Sequence, residues 1–353
     1  MKTETKVPSN YYSIMKWAGI IIIIGGIKVT SAIILPLLLA IFISLMLLQP
    51  VHWLQSKKVP KNLAILLVLF LFTTLFYALG DLLGSSLSDF SENLPEYKSK
   101  LYEITDENRE TFKMFGIDSV ENNPMNIEPG AIMKMILLGL GQAKKFIAKF
   151  FIIMLLTLFF LFELDSFPVK FNAMFSRIGN KKVQINLNKI VVNLRSYLQI
   201  KSLTSFATGL FIYIFLMILG VRYAILWSMI AFLLNYVPNI GSLIAAIPAV
   251  IFAGIQLGGG ALLYTGIIYL FVNFIIGSVI EPRIMGKGMG LSTAVILISL
   301  MFWGWLFGPI GMFLSVPLTM VLKIFLETNE DSRYFAILIG TEDEAKRILK
   351  NEK

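Results

Sequence analysis

Polar side chains recur at four-residue steps in an apolar stretch near the end of the chain. Four residues share one helix face at this spacing: Tyr269, Asn273, Gly277 and Glu281. An amide within hydrocarbon needs a hydrogen-bond partner, so Asn273 is expected to face protein or water. It would serve there as a structural bond between helices or as part of a permeation pathway. Gly277 would leave room for another backbone.

Glu281 opens the sequence Glu281-Pro282-Arg283 at the end of this stretch. A carboxylate at a membrane boundary could bind a proton or a cation. It could equally cap the N-terminus of a neighbouring helix or form an ion pair with Arg283. The residue pattern leaves both roles open.

Two more amides, Asn235 and Asn239, flank Pro238. They either satisfy the backbone groups that the proline leaves unpaired or present amides to a substrate. The predicted substrate pathway consists of Asn235, Asn239, Asn273, Glu281 and Arg283. Weaker candidates are Gln199, Lys201 and Gln256, and the side chains of Arg222 and Lys323 are expected to extend to the membrane surface.

Motifs of the common enzyme classes are absent. The sequence contains no phosphate-binding G-x-x-x-x-G-K-[ST], no H-E-x-x-H and no G-x-S-x-G. With no cysteine and one histidine, His52, it offers neither a thiolate site nor a histidine-rich metal site. We expect no catalytic residues, no cofactor, no metal and no ATP hydrolysis.

The composition indicates a membrane protein. Of 353 residues, 56% are hydrophobic and 15% are charged, which is too apolar for a soluble domain of this size. The net charge of +9 could suit nucleic acid. Basic loops that face an anionic leaflet explain it better, so the expected partner is the lipid bilayer and not nucleic acid.

One pattern occurs twice, in Gly220–Val250 and again in Gly288–Met320. Each copy has an apolar run, a proline, the pair Ile-Gly and a second proline. Such duplicated, interrupted segments inserted from opposite faces are typical of the central site of a transporter. Two pairs of ordinary kinked spans remain the alternative. The expected hairpin breaks are Pro238, Gly241, Pro248, Pro309, Gly311 and Pro317.

These runs predict an all-α polytopic fold of about eight spans in five regions. A separate basic helix along the membrane is expected before a span at Ser202–Leu219. The regions are N-terminal transmembrane helices (1–83), an extracytoplasmic amphipathic helical lobe (84–149), transmembrane helices with a basic cytoplasmic linker (150–219), a transport core with two hairpins (220–327) and a cytoplasmic tail (328–353).

Charge predicts the orientation. The stretch Asp81–Glu128 holds eleven of the 22 acidic residues, whereas basic residues follow the second and fourth spans. The positive-inside rule then places both termini in the cytoplasm and the acidic lobe outside.

The duplicated motifs resemble those of the autoinducer-2 exporter family, also called the PerM-like permeases. The resemblance implies a multi-pass protein of the bacterial inner membrane that forms a homo-oligomer and exports small signalling or metabolic molecules. Ser242 and Thr293 depart from it, since many relatives have proline there. The matching segments are Val237-Pro238-Asn239-Ile240-Gly241, Ala246-Ile247-Pro248-Ala249, Glu281-Pro282-Arg283-Ile284-Met285-Gly286-Lys287, Gly308-Pro309-Ile310-Gly311 and Val316-Pro317.

Four functions follow as hypotheses. The first is export of a small polar metabolite or signal, similar to autoinducer-2, between the two hairpins. The second is sodium or lithium/proton antiport in which Glu281 titrates, since some members of the family look like such antiporters. The third is a passive oligomeric channel. The fourth is a membrane scaffold whose acidic lobe binds a partner.

Overall fold

The computed structural model describes residues 9–93, 95–97, 99–100, 149–163, 166, 169–170, 181–238, 240–285, 290–328, 332–342 and 344–346. Within these ranges every regular element is helical, which confirms the all-α class. The helices are α1 (Ser9–Val29), α2 (Ser31–Ser56), α3 (Lys61–Glu92), α4 (149–163), α5 (Lys181–Leu219), α6 (Ala224–Leu234), α7 (Gly241–Leu257), α8 (Gly259–Asn273), α9 (Glu281–Met285), α10 (Thr293–Phe307), α11 (Pro309–Phe313), α12 (Ser315–Thr328) and α13 (Arg333–Ile339).

Helix length separates membrane-spanning helices from shorter ones. Four described helical stretches are long and apolar enough to cross a membrane: Ser31–Ser56, Lys61–Glu92, Ile190–Leu219 and Gly259–Met285. The helices α6, α7 and α10 are apolar but shorter. Large apolar side chains cover the outer surface, with Phe70 71% exposed and Ile218 75% exposed. Such a surface suits lipid rather than water, so the chain is a multi-pass helical membrane protein.

The helix α5 is the longest of the described helices. It has 39 residues and is about 58 Å long. The prediction of a separate basic helix before Ser202 is therefore wrong over Lys181–Leu219, because no proline interrupts this stretch and the helix continues through it. Its first half packs with α2 and α12, where Leu194 and Leu198 are buried, and its second half packs with α6 and α8, where Ile212 is buried.

Two tight turns carry the duplicated motifs. We call α6 with α7 hairpin one, and α10 with α11 and α12 hairpin two. A Cβ added at Gly241 would lie 1.8 Å from the carbonyl oxygen of Leu234, and one at Gly311 would lie 1.9 Å from that of Trp303. Only glycine allows the chain to turn back this closely. The second prolines lie within helices, Pro248 inside α7 and Pro317 at the third position of α12.

In each hairpin, a side chain of the last helix bonds to the backbone just before the first helix, and we call this region the open end of the hairpin. In hairpin one, the Gln256 amide donates to the Gly220 carbonyl at 3.0 Å and accepts from the Arg222 amide at 2.7 Å. In hairpin two, the Lys323 ammonium donates to the Gly290 carbonyl at 2.7 Å. Both glycines have positive φ, 76° and 58°. Lys323 is 5% exposed, so its predicted extension to the membrane surface is wrong, because the Gly290 carbonyl and nearby carboxylates hold it inside.

The beginning of the predicted acidic lobe packs on hairpin one. The helix α3 continues to Glu92, so the boundary expected at residue 83 falls inside a helix. Phe90 and Tyr97 are each 3% exposed, and the Phe90 ring lies 5.8 Å from Trp227 and 5.5 Å from Phe252. The rest of the predicted lobe, residues 101–148, lies outside the described residues.

Candidate functional site

A buried ion pair joins the middle of α5 to the beginning of α9. The Lys201 ammonium donates to both carboxylate oxygens of Glu281, at 2.8 and 3.0 Å. The two side chains are 5% and 14% exposed. The Thr204 hydroxyl donates to the same carboxylate at 3.2 Å. Each charge is therefore paired in a region where an isolated charge would be costly.

Lys201 belongs to a line of buried polar side chains along α5. Spacings of three and four residues place them on one face of the helix. The Thr208 hydroxyl donates to the Thr204 carbonyl, which satisfies it locally. Four of these side chains are buried: Lys201, Thr204, Ser205 and Thr208. Together with the neighbouring Ser202, we call them the polar stripe of α5.

The turn of hairpin one meets this stripe. The Asn235 amide donates to the Ser205 hydroxyl at 3.0 Å, and the Tyr236 hydroxyl donates to the Ser202 hydroxyl at 3.0 Å. Asn235 is the C-cap residue of α6 and is 9% exposed. Among the predicted site residues, the structure thus brings Asn235 and Glu281 to one helix face. Asn239 lies outside the described residues.

The turn of hairpin two reaches the same place. Phe313 ends α11, and its ring centroid lies 4.7 Å from that of Tyr236. The tips of the two hairpins therefore contact each other beside the polar stripe. This arrangement could close a polar path between the hairpins and open it when the tips separate.

A π-helical segment, Phe274–Ile280, changes the face that was predicted from four-residue spacing. Its hydrogen bonds connect residues five apart, which adds a residue to the turn. Tyr269 is 1% exposed, whereas Gly277 is exposed and a Cβ there would meet no described atom within 4 Å. The expected close backbone approach at Gly277 is therefore wrong for the described residues. Glu281 directly follows this segment and contacts α5 through Lys201.

Asn273 and Arg283 lie away from the polar stripe. Arg283 is exposed, and among the described ion pairs Glu281 pairs with Lys201 instead. Asn273 borders an apolar groove of about 320 Å³ between α7 and α8, which also contains Ile247, Gly266 and Leu270. Its side-chain nitrogen is buried and has no hydrogen-bond partner among the described residues.

Lys201 was predicted only as a weaker candidate, and the hydroxyl residues of the stripe and Tyr236 were not predicted. A lysine inside an apolar run requires a buried counter-charge, and this rule would have paired it with Glu281. The hydroxyl residues gave no such signal, because serine and threonine often bond to their own helix. Tyr236 was not among the candidate residues.

The long apolar helices, the paired hairpins and the buried polar stripe define the class of multi-pass membrane transport proteins. The family described as AI-2E family transporter matches residues 18–331. The chain therefore belongs to the AI-2E transporter family, as the motifs indicated.

Several relatives match over nearly the whole chain. The AI-2 transport protein TqsA of Escherichia coli is 36% identical over 91% of this chain and 93% of its own length. A Haemophilus influenzae protein that bears a transport-protein name is also 36% identical, over 93% of this chain and 96% of its own. The Escherichia coli protein YhhT, named in the same way, is 33% identical over 96% and 97%.

Proposed function

We propose that this protein is a secondary exporter that moves a small polar metabolite or signal between its two hairpins, without ATP hydrolysis. The observation that carries the proposal is the contact of the hairpin tips, Tyr236 and Phe313, beside the polar stripe of α5. Hydrogen-bonding groups buried at membrane depth are costly and are typical of pathways. The name of the relative TqsA, an AI-2 transport protein, supports a small signalling molecule as cargo.

The charges of the site favour a cargo without net charge. The ion pair of Lys201 and Glu281 neutralises itself, so neither group is free to balance an ion. The other groups at the tips are hydroxyls and an amide, on Ser202, Ser205, Asn235 and Tyr236. They match a molecule rich in hydroxyl or carbonyl groups. The same pairing argues against antiport through a free Glu281 carboxylate.

The remaining predictions keep their place in this proposal except for Asn273, which lies at the groove between α7 and α8 and is left out of the path. The protein would lie in the bacterial inner membrane as a homo-oligomer, with both termini in the cytoplasm. Asn235, Asn239 and Glu281 would line the path at the hairpin tips, and Arg283 would lie at its mouth.

The test is efflux from vesicles that contain the purified protein and no ATP, loaded in turn with AI-2 and with small neutral polyols. We expect flux of at least one of these molecules, and a loss of about tenfold or more in Asn235→Leu, because the Ser205 hydroxyl loses its partner and the path loses an amide. Asn273→Leu is the matched control, since Asn273 lies in the groove away from the stripe, and its flux should remain near wild type.

Three results would contradict the proposal. Equal flux in Asn235→Leu and wild type would remove the hairpin tips from the path. Sodium- or lithium-driven pH change that disappears in Glu281→Gln would support antiport instead. Ion conductance that needs no gradient coupling would support a channel.

A further inference from the structure

The two hairpins are closed by groups of different chemistry. Hairpin one uses the neutral amide of Gln256, whose oxygen and nitrogen are both occupied by the backbone of Gly220 and Arg222. Hairpin two uses the ammonium of Lys323, which has three donors. The Gly290 carbonyl takes only one of them. Hairpin two is therefore closed by a group that needs further partners.

We call residues 332–342 and 344–346 the C-terminal segment. A carboxylate of this segment is the main further partner of the Lys323 ammonium. The Lys323 ammonium lies 2.5 Å from the Glu344 carboxylate and 3.6 Å from that of Glu327. The Lys323 side chain is 6% exposed, so it depends on these counter-charges. Glu344 is thus the closer of the two described carboxylates that hold the lysine on Gly290.

The backbone of the C-terminal segment also reaches hairpin two. The Ser292 amide, one residue before α10, donates to the Ile339 carbonyl at 3.1 Å. A Cβ at Gly340 would lie 2.8 Å from the Glu344 carboxylate, and one at Gly290 would lie 2.7 Å from the Lys323 ammonium. Both glycines therefore leave space for the ion pair. Ala336, on the packed side of α13, is 1% exposed.

We propose that residues 332–342 and 344–346 form a latch, which keeps Lys323 on the Gly290 carbonyl of hairpin two through the Glu344 carboxylate. When the segment leaves, Lys323 loses its nearer counter-charge and Ser292 loses its hydrogen-bond acceptor. The ammonium then turns toward water and releases the Gly290 carbonyl. Among the described residues, Gln256 of hairpin one bonds to the nearby backbone of Gly220 and Arg222 and not to the C-terminal segment. The latch would regulate hairpin two alone, and it rests on the proposed function only for its effect on flux.

The chain contains no cysteine, so a single introduced cysteine reports on the latch without background. Ala336→Cys places a thiol in the packed side of α13. In the purified protein in detergent, we expect slow reaction with a maleimide, and a rate about tenfold higher when Glu344→Gln is added, because the buried ammonium loses its charge partner. Glu342→Gln is the matched control, since Glu342 lies two residues away and is 80% exposed in a surface pair with Lys346. It should leave the rate unchanged.

A second variant tests whether Glu344 acts through Lys323. In the background of Lys323→Gln, the added Glu344→Gln should raise the labelling rate no further. An unchanged rate in Glu344→Gln, an equal rise in Glu342→Gln, or additive effects with Lys323→Gln would each overturn the latch. Labelling needs no substrate, so it decides the latch even where no cargo is transported. In vesicles that do transport, Glu344→Gln should change the flux and Glu342→Gln should not.

Discussion

The ring of Tyr236 lies 4.7 Å from the ring of Phe313, with an angle of 31° between the ring planes. Tyr236 belongs to the turn of hairpin one, and Phe313 ends the turn helix of hairpin two. The Tyr236 hydroxyl donates to Ser202 on α5, so one side chain contacts both the other hairpin and the polar stripe. Separation of the tips would have to break the ring contact before a polar path could open.

This contact predicts different effects for two substitutions of Tyr236. Tyr236→Phe keeps the ring and loses one hydrogen bond, which should lower the free energy of unfolding by about 1 kcal/mol. Tyr236→Ala also removes the buried ring and should cost about 3–5 kcal/mol. Tyr264→Ala is the control, because Tyr264 is 62% exposed. Chemical unfolding in detergent measures all three, and equal losses in Phe and Ala variants would show that the ring contact contributes little.

The ion pair of Lys201 and Glu281 predicts non-additive substitutions. Lys201→Met alone leaves a carboxylate that is 14% exposed without its counter-charge, which should cost about 3–5 kcal/mol. The double variant Lys201→Met with Glu281→Leu removes both charges and should be more stable than Lys201→Met alone. Unfolding curves of the single and double variants form the cycle that measures this. A double variant less stable than either single variant would mean that the pair does not act as a unit.

The sequence predicted the membrane class and the place of both tight turns, because hydropathy and the Pro-Gly motifs are local signals. It did not predict that α5 is continuous, because the basic residues before Ser202 are typical of a separate helix on the membrane surface. The lack of a proline between residues 181 and 219 favours one continuous helix. The sequence also could not predict the π-helical segment before Glu281, which has no local sequence signature. Among the described ion pairs, Glu281 pairs with Lys201 and not with the neighbouring Arg283.

Only part of the polar site could be predicted from the sequence, for a related reason. Asn235 and Glu281 were found because polar residues beside proline in apolar segments are conspicuous. Their partners, Ser205 and Lys201, lie 30 and 80 residues away along the chain. Spacing within one helix carries no information on such pairs.

The two turn glycines predict intolerance to a single methyl group. Gly241→Ala and Gly311→Ala would each place a Cβ less than 2 Å from a backbone carbonyl oxygen, so the turn must open. We expect strongly reduced yield of folded protein for both variants. Gly277→Ala is the matched control, because its Cβ meets no described atom within 4 Å and alanine favours helix by about 1 kcal/mol. Size-exclusion profiles after detergent extraction give the comparison, and wild-type profiles for Gly241→Ala would contradict the turn geometry.

The Gln256 bridge predicts a change confined to the open end of hairpin one. Gln256→Glu keeps an acceptor for the Arg222 amide but cannot donate to the Gly220 carbonyl, whereas Gln256→Ala loses both bonds. Hydrogen exchange at the Arg222 amide should therefore accelerate strongly in the Ala variant and much less in the Glu variant. Exchange in α10, in the other hairpin, should not change in either, because the described bonds of Gln256 go to Gly220 and Arg222, next to hairpin one. Equal exchange at Arg222 in the Ala variant and wild type would show that the side chain does not hold the hairpin closed, and acceleration in α10 would show that the two hairpins open together.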